Sequence, residues 1–249
     1  MEGNDGSDRI YGYLGNDTIS GGQGNDRLYG GDGADEISTG SGDDIVYGGT
    51  GNDNINGNMD REEFTVTRSV SSGTQWLYGG DGDDDIIGGA NTDHLYGGTG
   101  IDFILGGDGD DLLFGGDGDD YLYTDNGIDY VEGGLGDDLL SGTGKTGSKT
   151  LKGGDGKDRI YGGIDDDFLY GDAGIDSLIG NDGDDYLYGG AGYDWLYGKA
   201  GNDNIYGGDG EDKITGGTGI DTITGGPGVD RIYMDQALAI NANNVIDFT

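Results

Sequence analysis

Carboxylates recur along this 249-residue chain at a fixed interval of nine. Asp8, Asp17, Asp26, Asp35, Asp44 and Asp53 form a first series. Asp84, Asp93, Asp102, Asp111, Asp120, Asp129 and Asp138 form a second, and Asp158, Asp167, Asp176, Asp185, Asp194, Asp203, Asp212, Asp221 and Asp230 a third. Each follows a glycine-rich run such as Gly21-Gly22-Gln23-Gly24-Asn25-Asp26. Turns that present carboxylates and backbone carbonyls offer oxygen donors alone, which is the chemistry of hard cations; Ca²⁺ takes six to eight oxygens in flexible geometry. Zinc and copper prefer His or Cys, and the chain has one His and no Cys.

Catalysis finds few residues to use. His94 is the sole histidine, so neither a Ser-His-Asp triad nor a His-Glu-x-x-His zinc site can be assembled. It falls at a strand position, where it reads as an outward, solvated side chain. Pairs such as Asp110-Asp111 and Asp184-Asp185 resemble the two carboxylates of a glycosidase, but they recur with the turn. The expectation is a protein that is not an enzyme.

The elements that position these acids follow from the repeat, Gly-Gly-x-Gly-x-Asp-x-aliphatic-x, which fixes the fold before any other consideration. Glycines at the first, second and fourth positions suit a turn with positive φ or close backbone approach. The last three residues read as a minimal strand with its aliphatic residue inward. Strand, turn, strand, turn then closes one coil of 18 residues, and successive coils pair into two short-strand parallel sheets. One aliphatic side chain per nine residues buries too little surface to offset ordering nine residues of backbone, so a ligand must brace the turns.

The repeat region spans residues 1–233, in blocks 3–56, 79–141 and 153–233 separated by irregular coils 57–78 and 142–152; residues 234–249 read as a C-terminal cap. In the irregular coils Glu62, Gln75 and Lys149 stand where Asp belongs, while Phe64 and Leu77 keep the aliphatic position. At Lys149 the ammonium can replace a lost cation, aided by Lys145 and Lys152, or the segment is a solvated loop. The cap offers Leu238, Ile240, Val245, Ile246 and Phe248.

Composition sets the outer limits. Sixty-one glycines with one proline exclude collagen, and a formal net charge of -38 looks disordered unless a cation compensates it. That charge repels nucleic acid and anionic membrane surfaces. No apolar run approaches the length of a membrane span, and without cysteine no disulfide can form.

The nonapeptide resembles the RTX (repeats-in-toxin, haemolysin-type) calcium-binding repeat across residues 3–233. The resemblance implies an all-β, right-handed parallel β-roll with Ca²⁺ between turns two units apart. Its ligands would be the sixth-position carboxylates above and main-chain carbonyls such as those of Gly22, Gly24, Gly107, Gly109, Gly208 and Gly210. Pairs two units apart within the three blocks give about sixteen ions. Their charge of about +32 leaves about -6 on the loaded chain, an ordinary value for a soluble domain. The family implies a secreted or cell-surface module of a toxin, adhesin or exoenzyme, exported by type I secretion, folding on calcium and serving as a rigid scaffold. Val245-Ile246-Asp247-Phe248 looks like the segment that follows the last repeat in secreted members. A chain that begins inside a repeat and stops at Thr249 reads as a piece of a larger protein.

Aromatic residues suggest a second role. Twelve of the 17 tyrosines hold the ninth position, which points outward if the eighth points in. If every degenerate unit makes a half-coil, one sheet carries Trp76, Tyr78, His94, Tyr96, Leu112, Phe114, Tyr130, Phe168, Tyr170, Tyr186 and Tyr188. Such a strip can stiffen the sheet, or it can dock a second copy, a partner protein or a polysaccharide. Ice binding would need a regular Thr/Asn array, which Thr50-Gly51-Asn52-Asp53 alone approaches.

Overall fold

The computed structural model describes residues 1–56, 73–233 and 245–247, and it is an all-β parallel solenoid with no helix among them. The chain divides into two units, Met1–Asn126 and Gly127–Thr249.

In the first unit the chain alternates between two parallel sheets. One contains Glu2–Asp5, Thr18–Gln23, Glu36–Ser41, Asn54–Asn56, Asp85–Gly89, Phe103–Gly107 and Tyr121–Tyr123. The other contains Arg9–Leu14, Arg27–Asp32, Ile45–Thr50, Trp76–Asp81, His94–Thr99 and Leu112–Asp117. Within the repeat blocks, paired residues lie 18 apart, as in Leu28↔Val46 and Gly31↔Gly49. The second unit repeats the scheme. Tyr130–Leu135, Thr150–Gly156, Phe168–Gly174, Tyr186–Gly192, Asn204–Gly210, Thr222–Thr224 and Val245–Asp247 form one sheet. Leu139–Ser141, Arg159–Tyr161, Ser177–Asp182, Trp195–Ala200, Lys213–Thr218 and Arg231–Tyr233 form the other.

The eighth-position side chains fill the space between the sheets. Leu28, Val46, Leu77 and Leu95 from one sheet and Ile37, Ile55, Ile86 and Ile104 from the other have no exposed surface beyond 1%. Burial alternates along each strand, so the seventh and ninth positions face outward.

Three features correct the sequence expectation. Strands commonly run to six residues, such as Arg27–Asp32, because the first three positions of the next unit keep pairing with their neighbours. The turn proper is thereby confined to the fourth to sixth positions. Second, Ile45–Thr50 pairs directly with Trp76–Asp81, so the two are neighbours in one sheet and the register continues across the interruption. Glu62 and Phe64 lie outside the described residues, as do Leu238, Ile240 and Phe248 of the cap, whereas Val245–Asp247 adds a strand beside Thr222–Thr224. Third, residues 144–152 do form a half-coil: Thr150–Gly156 pairs with Tyr130–Leu135 and buries Leu151.

The glycines divide their labour. A Cβ at first-position Gly48 would lie closer than 3.0 Å to Asp53 Oδ2 and Gly79 O, so its absence makes room for oxygen atoms. At fourth-position Gly210, φ is 149° and a Cβ would collide with the carbonyl of Gly192 one coil earlier. A Gly210→Ala substitution is expected to destabilise the second unit by roughly 1–3 kcal/mol, read as a lower melting temperature in excess calcium.

Candidate metal centres

Each sixth-position aspartate is held by the coil before it. The Asp8 N–H donates to Asp26 Oδ1 at 2.8 Å, Asp26 to Asp44 Oδ1 at 2.8 Å, and Asp176 to Asp194 Oδ1 at 2.9 Å. The carbonyl of the same aspartate accepts the next coil's seventh-position N–H, as in Arg27 to Asp8 at 2.9 Å. These bonds fix the carboxylate with one oxygen satisfied and the other turned into the turn. That second oxygen is buried and has no hydrogen-bond partner in Asp26, Asp35, Asp53, Asp84, Asp93 and Asp102 of the first unit. The same holds for Asp158, Asp176, Asp185, Asp194, Asp203 and Asp212 of the second. Asp44, Asp111, Asp120, Asp138 and Asp221 are buried in equivalent turns, and Asp8, Asp17 and Asp230 are partly exposed.

Burial makes the ionised form costly. Desolvation pushes Asp84, Asp93, Asp102, Asp158, Asp176 and Asp203 up to about 7. Asp185 rises to about 8, first through burial and further through the charges of Asp167 and Asp203, against a lowering backbone hydrogen bond. A carboxylate in such surroundings is either protonated or paired with a cation.

Main-chain oxygens surround the same space. Beside first-position Gly21 lie Asp26 Oδ2 and the carbonyl of Thr39. The carbonyls of Gly22 and Gly24 point at Gly40 and Gly42 of the following coil, and those of Gly208 and Gly210 point at Gly226 and Gly228. Gly107 and Gly109 in turn face the carbonyls of Gly89 and Asn91. All six predicted carbonyl residues therefore sit in the inter-coil contact at the turns.

Two departures from the repeat report what the sixth position faces. Gln75 is fully buried, and its Nε2 donates to the Gly42 carbonyl at 2.8 Å. Lys149 is fully buried too, which excludes a solvated loop; its Nζ donates to the carbonyls of Gly127 at 2.5 Å and Thr146 at 3.0 Å. Gly42 and Gly127 are both the fourth residue of the preceding turn. Where an N–H replaces the carboxylate, it bonds directly to that oxygen.

The donor set fits calcium. Among the described residues no three His, Asp or Glu side chains converge, so main-chain carbonyls must complete any coordination sphere. Oxygen donors supplied by carboxylates and carbonyls suit Ca²⁺, and the partnerless Oδ2 atoms are where its charge is required.

Sequence reasoning missed the hydrogen bond from each coil to the next carboxylate, because spacing alone does not assign Oδ1 and Oδ2. It also missed two pairs that span the interruptions: Asp53 N–H donates to Asp84 Oδ1 at 2.6 Å and Asp138 N–H to Asp158 Oδ1 at 2.9 Å. The signal was present in Leu77 and Leu151, whose aliphatic positions keep the coil intact.

The aromatic side chains stack on one another. In the first unit Tyr11, Tyr29, Tyr47, Tyr78, Tyr96 and Phe114 form a row with centroids 4.6–5.2 Å apart and planes within 10°. Direct pairing of Ile45–Thr50 with Trp76–Asp81 brings Tyr47 onto Tyr78, so the row is longer than the half-coil count suggested. Trp76 stacks on His94 at 3.8 Å, which leaves His94 half-buried rather than solvated, its pKa lowered by burial. In the second unit Tyr170, Tyr188 and Tyr206 form a row, Phe168 pairs with Tyr186, and Lys152 lies over both Tyr130 and Tyr170. Within these rows ring faces, the surface a sugar would pack against, lie on neighbouring rings.

No helix among the described residues is long and apolar enough to cross a membrane. A family model described as RTX calcium-binding nonapeptide repeat (4 copies) matches residues 2–37, 29–61, 70–104, 96–131, 123–144, 143–178, 179–214 and 206–235. No curated protein matches the chain.

Proposed function

The chain belongs to the family of RTX calcium-binding nonapeptide repeats, and from that premise we propose that it is a scaffold whose folding is driven by many calcium ions held between its turns. The observation that carries this reading is the recurrence of buried carboxylate oxygens without a partner, turn after turn. Calcium supplies the positive charge that lets those oxygens remain ionised in the interior. The chain's own residues do the rest. Asp Oδ1 ties each coil to its predecessor, Oδ2 faces inward, and glycine clears the space around it.

Because no preformed site exists in an unfolded chain, binding free energy is folding free energy. In low cytosolic calcium a chain of net charge -38 stays extended by self-repulsion; in millimolar extracellular calcium it folds. That behaviour suits type I secretion through a narrow channel, followed by service as a stiff spacer in a secreted or cell-surface toxin, adhesin or exoenzyme. The stacked aromatic rows fit the scaffold role, since they couple the outward faces of successive coils.

Calorimetric calcium titration of the full chain tests the reading, with Asp176→Ala as its site-specific arm. Asp176 is joined by hydrogen bonds to Asp158 on one side and Asp194 on the other. Its loss is expected to remove about one to two ions while leaving the others bound. Absence of calcium uptake by the unaltered chain would sink the proposal.

A further inference from the structure

We propose that Lys149 is a cation built into the chain, which closes its interval of the second unit without calcium and excludes an ion there. The inference rests on the calcium reading above, and it concerns the one place where the column of aspartates carries an ammonium.

Three oxygens receive that ammonium. Nζ lies 2.8 Å from Asp129 Oδ2, with both side chains fully buried, and donates to the carbonyls of Gly127 and Thr146. One carboxylate and two main-chain carbonyls, drawn from two successive turns, are the same kinds of donor that surround the sixth position elsewhere. The lysine stem spans the coil spacing and places the charge beside the oxygen of Asp129 that other turns leave without a partner.

The following interval is closed as well. The Lys149 N–H donates to Asp167 Oδ1 at 2.6 Å, and Asp167 Oδ2 accepts the N–H of Gly163. Both intervals that flank Lys149 therefore satisfy their carboxylates from within the chain. Gln75 marks the contrast. Its amide reaches the equivalent carbonyl, but Gln75 Oε1 is left without a partner, so a neutral donor does only part of what the ammonium does.

The position of the clasp has a consequence. It follows the two-residue insertion Gly142-Thr143, where Asp138 and Asp158 are 20 residues apart instead of 18. A tethered charge does not leave with calcium, so residues 127–151 are the part of the second unit that calcium removal disturbs least.

Two measurements on the full chain test this. Elemental analysis after dialysis against calcium counts ions in the unaltered chain and in Lys149→Asp, where about one to two additional ions per chain are expected. An unchanged count in a folded Lys149→Asp chain overturns the proposal. Hydrogen exchange in EGTA is the second arm. Residues 127–151 are expected to exchange most slowly in the unaltered chain and to lose that protection in Lys149→Met. Equal exchange across the unit, or no effect of Lys149→Met, overturns the proposal even if Lys149→Asp fails to fold. A chain that takes up no calcium sinks the scaffold reading instead, and the exchange arm then decides Lys149 alone.

Discussion

Chelating calcium with EGTA at neutral pH is expected to abolish most of the sheet signal in circular dichroism, and returning calcium is expected to restore it. The magnitude follows from the buried carboxylates. A dozen of them, Asp26, Asp35, Asp53, Asp84, Asp93 and Asp102 with Asp158, Asp176, Asp185, Asp194, Asp203 and Asp212, hold an oxygen with no hydrogen-bond partner. An unsatisfied buried polar group costs about 1–3 kcal/mol, and more when charged. Twelve such groups outweigh the roughly 5–15 kcal/mol that holds an ordinary domain together. Magnesium is expected to restore little, because it dehydrates reluctantly and demands near-octahedral geometry. A sheet spectrum that survives chelation would contradict the assignment of calcium to the turns.

Acidification is expected to do for the chelated chain part of what calcium does. Asp84, Asp93, Asp102, Asp158, Asp176 and Asp203 are raised to about 7 in the folded chain and Asp185 to about 8, chiefly by burial. In the unfolded chain an aspartate titrates near about 3.9. A raised carboxyl pKa means that the folded state holds protons the unfolded state has released. The stabilisation is complete below pH ~4 and is lost as pH rises towards ~7–8. Each group contributes on the order of 2–4 kcal/mol across that window. Calcium-free chain should therefore gain sheet structure as the pH falls from ~8 to ~5. The loaded chain should show the opposite sign, releasing ions as protons compete for the same oxygens. Circular dichroism at several pH values, with and without EGTA, reads both limbs. A chelated chain that is equally unfolded at pH ~5 and pH ~8 would count against buried carboxylates as the main penalty.

Much of this was legible in the sequence because the repeat leaves few alternatives. The eighth-position row from Ile19 to Ile223 predicted the core, and the sixth-position row, read from spacing as cation ligands, holds acids that are mostly buried. The glycines showed where backbone would crowd. What spacing could not show was division of labour within a residue: that Oδ1 of Asp26 serves the coil before it while Oδ2 faces the turn. The interruptions were also ambiguous. Residues 57–65 kept enough of the pattern to suggest a half-coil, yet pairing passes straight from Ile45–Thr50 to Trp76–Asp81. Residues 144–152, with lysine at the acid position, also looked irregular and form a half-coil whose strand pairs with Tyr130–Leu135. Periodicity measures similarity to neighbours, whereas a coil closes if its inward residue is apolar and its sixth side chain finds an oxygen or a cation.

Alternation between the two sheets of each unit also constrains how such a chain can change length. Paired residues in the repeat blocks are 18 apart, and the tyrosine row from Tyr11 to Tyr96 belongs to one sheet alone. A duplication of one nonapeptide would move every downstream residue to the opposite sheet, cutting the row of rings and setting outward lysines and arginines against new neighbours. Adding or deleting two nonapeptides would leave every row in line. Genes of this architecture should therefore drift in copy number by even steps, and an odd step should survive only where a segment looped from the edge absorbs the change of phase.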